Sequence, residues 1–99
     1  MDLGIKGRVA LVTGAGGGIG RVCAVELARE GCHLILADRT EALVADVAQE
    51  IKALKVEALT VGTNLETAEG VTRMMERAFE VFGHVDILFN NAGHNRDNT

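Results

Sequence analysis

Four short apolar runs, at residues 9–12, 34–37, 58–61 and 85–89, alternate with three longer stretches whose apolar residues recur every three or four positions. A short, predominantly apolar run of four or five residues suits a strand buried on both faces, as in a parallel sheet. The wider spacing suits a helix with one face against that sheet. The first helical stretch covers about residues 18–30 and stops at Gly31, a candidate C-cap. The second opens at Thr40, a candidate N-cap, and carries Leu43, Val44, Val47, Ile51 and Leu54 on one stripe. In the third, Val71, Met74, Met75, Ala78, Phe79 and Phe82 recur at helical spacing between Thr67 and Gly83. The order is therefore β-α-β-α-β-α-β.

Right-handed crossovers turn that order into an α/β, doubly wound parallel sheet with strand order 3-2-1-4. The first two helices should cover one face and the third the other. Strand four is then an apolar edge with neither proline nor lysine to blunt it. A second copy of the chain, or a C-terminal segment beyond it, is expected to cover that edge. There is no proline, no internal repeat and no low-complexity stretch, so residues 1–99 read as a single domain. The polar ending "HNRDNT" stops where a further element would follow, and the domain is expected to be truncated.

Composition narrows the partners. A net charge of −4 without any run of like charge gives no reason to expect nucleic acid or an anionic membrane surface. The opening "MDLGIKGRVALV" is too short in its apolar part for a signal peptide or a span, so a cytoplasmic location is expected. Cys23 and Cys32 form no CxxC pair and are expected to be small buried fillers. No spacing of histidines, cysteines or acids suggests a metal site.

Between strand one and the first helix stands "TGAGGGIG", residues 13–20. A tight glycine turn that presents backbone N–H groups at a helix's positive end is a site for phosphate or pyrophosphate. A nucleoside-triphosphate loop would need lysine and then serine or threonine after the last glycine, where Arg21 and Val22 stand. Asp38, closing "HLILAD", lies at the distance from the glycines that suits a carboxylate accepting hydrogen bonds from adenosine ribose hydroxyls. It would repel a ribose 2′-phosphate, which favours NAD. The neighbouring Arg39 could pair with that phosphate, so NADP stays open.

These residues resemble the short-chain dehydrogenase/reductase family. Thr13, Gly14, Gly18 and Gly20 match its TGxxxGxG turn, Asp38 the acidic position of its NAD-preferring members, and "NNAG", Asn90 to Gly93, its motif after strand four. The resemblance implies a partial Rossmann fold with a nicotinamide dinucleotide cofactor. Gly14, Gly16, Gly17, Gly18, Ile19 and Gly20 would surround the pyrophosphate, with Asp38 and Arg39 at the ribose. Asn90, Asn91, Ala92 and Gly93 would line the adenosine side, with Thr13 hydrogen-bonded to the main chain there. The family's usual aspartate after strand three falls on Asn64, whose carbonyl can still accept from the adenine amino group, with the Leu65 backbone contributing.

The family's chemistry rests on a tyrosine, a lysine four residues on, a serine and a further asparagine. This sequence has no tyrosine and no serine, and Lys6, Lys52 and Lys55 lie far from the glycine turn. Of His33, His84 and His94, only His94 is close enough to the cofactor side to consider as an acid–base group, and nothing in the sequence tunes it. No catalytic residue is therefore assigned. The expectation is the cofactor-binding portion of a short-chain oxidoreductase that moves hydride between nicotinamide and an alcohol or carbonyl. A freestanding NAD-binding module and a fragment that binds nothing remain alternatives.

Overall fold

The structure, a computed structural model, describes residues 4–91. Its elements run β1 (Val9–Thr13), α1 (Gly18–Arg29), β2 (His33–Asp38), a 3-10 turn (Glu41–Val44), α2 (Ala45–Lys52), β3 (Ala58–Gly62), α3 (Ala68–Phe82) and β4 (Ile87–Asn90). The four strands are parallel in the order β3-β2-β1-β4, the order expected of a doubly wound sheet. Registers Thr13↔Ala37, Thr13↔Asn90 and Asp38↔Gly62 bring the carboxyl ends of all four strands to one side of the sheet.

Side chains along β1 and β2 alternate between two cores. Ala10, Val12, Leu34 and Leu36 meet Ala24, Val25 and Ala28 of α1 and Val47, Ala48 and Ile51 of α2. Val9, Leu11, Ile35 and Ala37 meet Met74 and Ala78 of α3. The first two helices thus cover one face and the third the other. β1 is buried throughout, whereas β4 is half-buried at Ile87 and Phe89 and exposed at Leu88 and Asn90. Two parallel neighbours bury a strand on both sides, and β4 has one among the described residues.

Four local expectations are corrected. Thr40 stands at the N-cap of a 3-10 turn rather than of α2, with extended backbone and no side-chain capping bond. The chain enters a 3-10 turn there because Leu43 N–H donates to the Thr40 carbonyl and Gly62 packs close against the backbone of Thr40 and Glu41. The outer members of the second stripe, Leu43 and Leu54, consequently fall outside α2 and are exposed. Gly31 follows the C-cap Glu30, and its φ of +94° is the left-handed conformation that ends the helix. Cys32 is buried but Cys23 is only half so. Burial pushes both thiols up, away from the thiolate that attacks or binds metal. Thr67 does cap α3, accepting from Gly70 N–H at 3.0 Å.

The start of β4 is set by Asp86. Its backbone N–H donates to the Val9 carbonyl at 2.8 Å, and its Oδ2 accepts from Val9 N–H at 2.8 Å. His84 Nε2 lies 3.1 Å from the same oxygen. His33 opens β2, so both histidines sit at the amino ends of the strands, opposite the glycine turn. Among the described residues no helix is long and apolar enough to cross a membrane.

Candidate functional site

β1 ends at Thr13, and the chain reverses through Gly14, Ala15, Gly16 and Gly17 into α1. Gly14 (φ +64°) and Gly18 (φ +54°) take left-handed conformations in which a side chain would be strained. A Cβ on Gly20 would overlap the Gly14 carbonyl, so this glycine lets the first turn of α1 close onto the loop. At Gly17 and Gly18 a Cβ would meet open space, and both are exposed. Packing therefore accounts for Gly20 but not for Gly17.

Gly17 is the N-cap of α1 and provides no side-chain cap, and no acid occupies the first turn. The first amides of α1 lie there, at the positive end of a twelve-residue helix. Arg21, the nearest cation in sequence, is held away by Glu50 of α2 at 3.1 Å. Ile19, 70% exposed, stands beside this opening.

Asp38 lies next to the turn. Its Oδ2 accepts from Gly16 N–H at 3.0 Å and its Oδ1 from Arg39 N–H at 2.8 Å, while the Arg39 side chain is exposed. Across the sheet, Thr13 is 3% exposed and ties β1 to β4. Its hydroxyl donates to Asn90 Oδ1 at 2.9 Å and accepts from Asn91 N–H at 2.8 Å. On the α3 side, Thr13, Leu65, Glu66, Val71, Met74, Met75, Leu88 and Asn90 line a hollow of about 460 Å³. Asn64, which precedes Leu65 in the chain, is exposed, with Oδ1 accepting from Glu66 N–H at 2.9 Å. One of its two lone pairs is therefore engaged locally, which sequence spacing did not reveal.

The strand ends thus bring together Thr13, Gly14, Gly16, Gly17, Gly18, Ile19, Gly20, Asp38, Arg39, Asn90 and Asn91, with Asn64 and Leu65 across the sheet. Ala92, Gly93 and His94 lie outside the described residues. Among the described residues no three histidines, cysteines or acids converge as metal ligands.

A parallel sheet with a glycine turn after β1 and an acid closing β2 defines an α/β protein of the dinucleotide-binding type. The family model for short chain dehydrogenase matches residues 8–99, and the chain belongs to that family. It is 46% identical over 86 residues to 1,6-dihydroxycyclohexa-2,4-diene-1-carboxylate dehydrogenase of Acinetobacter baylyi, covering 87% of this chain and 33% of that one. L-sorbose reductase from Gluconobacter frateurii, solved with NADPH and L-sorbose, superposes with a TM-score of 0.92 at 38% identity, over 100% of this chain and 38% of that one. A short-chain dehydrogenase/reductase from Burkholderia phymatum, solved with NAD, gives 0.80 at 36% identity, over 85% and 30%. The chain spans about a third of the length of these relatives.

Proposed function

We propose that the chain is the dinucleotide-binding portion of an NAD(P)-dependent short-chain oxidoreductase and that it prefers NAD. The observation that carries this reading is the placement of the Asp38 carboxylate against the glycine turn, next to open space at Gly17 and Gly18. The pyrophosphate would lie over those two glycines and the amino end of α1, where N–H groups and the helix dipole favour an anion. Asp38 would accept from the ribose hydroxyls. The second lone pair of Asn64 Oδ1 and the Leu65 backbone would meet the adenine, and Asn90 to Gly93 would line its other side.

A bound nicotinamide supplies the hydride chemistry of an alcohol–carbonyl interconversion. The proton that accompanies it needs a positioned acid or base, worth about 10²–10⁴-fold. With neither tyrosine nor serine in the sequence, that group would come from a segment outside these 99 residues.

Titration of the purified chain with NADH and NADPH, followed by cofactor fluorescence, tests the reading. NADH should bind weakly and more tightly than NADPH, and Asp38→Ala should narrow the difference. Equal affinities for the two in the unaltered chain would remove the role given to Asp38. Cofactor-dependent turnover by the chain alone, lost on replacing His94, would instead make that histidine catalytic.

A further inference from the structure

Two features of the proposed ribose side would pull against each other: the Asp38 carboxylate would repel a 2′-phosphate, yet Arg39 beside it could hold one. A free aspartate could settle the conflict by rotating aside, opening the site to NADP. The hydrogen bonds around Asp38 make that rotation costly. Its two oxygens are held by backbone N–H groups from two different segments, Arg39 in its own loop at 2.8 Å and Gly16 in the glycine turn at 3.0 Å. From the same side the Leu43 carbonyl presses on Gly16. A Cβ there would lie 2.5 Å from that oxygen and 2.9 Å from Asp38 Oδ2. Position 16 is thus a glycine because the 3-10 turn and the acid both close upon it, and no cofactor contact is needed to explain it.

Resting on the cofactor reading above, we infer that the Gly16 N–H···Asp38 bond is a specificity latch. It positions the carboxylate so that the site selects NAD by geometry as well as by charge. With the latch closed, the outward lone pairs of Asp38 face the ribose hydroxyls. A 2′-phosphate would then meet a positioned carboxylate that gives up its bond to the half-buried Gly16 amide if it withdraws. Arg39 cannot rescue NADP while its neighbour stays in place. Gly16 is the specificity-determining residue that the glycine pattern hides, because its contribution is an amide rather than a side chain.

Amide hydrogen exchange of the ¹⁵N-labelled chain, alongside NADH and NADPH titrations, separates the latch from simple charge repulsion. In the unaltered chain without ligand, the Gly16 amide should exchange at least about tenfold more slowly than that of Gly17, the exchange equivalent of one net hydrogen bond. Asp38→Asn keeps an acceptor and should keep Gly16 slow while losing the NAD preference. Asp38→Glu keeps the charge but displaces the carboxylate by a methylene. It should lose protection at Gly16 and, despite its charge, about tenfold of the NAD preference. An Asp38→Glu chain with an unprotected Gly16 and an unchanged preference overturns the latch. So does a Gly16 amide as fast as Gly17 in an unaltered chain that binds NADH. A protected Gly16 in a chain that binds neither dinucleotide overturns the cofactor reading instead, and with it the selective role.

Discussion

Replacing Thr13 with valine removes one oxygen and leaves the shape of the side chain unchanged. That oxygen is buried and makes two of the bonds that join β1 to β4, one to Asn90 Oδ1 and one from Asn91 N–H. Asn90 is exposed, so water can replace the hydroxyl at its side chain. Asn91 is half-buried and its amide is fixed by the strand direction, so the loss falls mainly there. A stranded backbone donor costs about 1–3 kcal/mol. Small domains have about 5–15 kcal/mol of stability in all, and each kcal/mol lowers Tm by about 4–8 °C at this size. Urea unfolding followed by far-UV circular dichroism should therefore show Thr13→Val less stable by about 1–3 kcal/mol. Chain concentration must be held constant, because association adds to apparent stability. Thr13→Ser keeps the hydroxyl and loses one methyl, about 0.8 kcal/mol. A valine variant within about 0.5 kcal/mol of the parent, the range of neutral surface changes, would refute the reasoning. So would a serine variant that is the worse of the two.

Gly20→Ala drives a Cβ into the Gly14 carbonyl, a backbone group that cannot move aside, and should cost about 1–3 kcal/mol in the same assay. Gly17→Ser, where the space is open and serine is a good N-cap, should lose no more than about 0.5 kcal/mol, and equal losses at the two positions would mean the turn is not packed as described. The Val9 amide, helped by His84 and Arg8, holds the Asp86 carboxyl below its ordinary value of 3.8. A folded value below the unfolded one stabilises the fold above about pH 4 and is lost as pH falls through the folded value. Asp86→Asn should thus flatten the acid limb of the stability–pH curve, and an unchanged limb would count against the bond. Leu88 is 62% and Val71 40% exposed around the hollow beside β4, an edge strand among the described residues, so sedimentation at micromolar concentration should show self-association; a dye-silent, cooperatively unfolding monomer would contradict this.

The strands could be read from the chain because each is a predominantly apolar run, although β4 begins at Ile87 rather than Val85, and strand order followed from right-handed crossovers in the doubly wound pattern. What escaped came from contacts between distant segments. The 3-10 turn after β2 exists because Gly62 and Gly16 admit the backbone of residues 40–43, and no local propensity at Thr40 reports that approach. The spacing from glycines to Asp38 suggested a ribose acceptor. Its bond to Gly16 depends on the register that sets Thr13 beside Ala37. Leu54 looked like core because its spacing is right, yet α2 ends at Lys52 before reaching it.

The tie between Thr13 and Asn90 joins residues 77 apart in sequence, whereas β1 and β2 pair across a separation of 24. Closing the longer loop costs more chain entropy, and pairings of high sequence separation tend to slow folding. The β1-α1-β2 unit can therefore assemble early, with its glycine turn and acid already in register. β4 docks only once almost the entire described chain is in place. In kinetic terms, the glycine turn and Asp38 should mature ahead of the Asn90–Asn91 side of the strand ends. A defect confined to β4 should then chiefly accelerate unfolding, leaving the refolding rate almost unchanged.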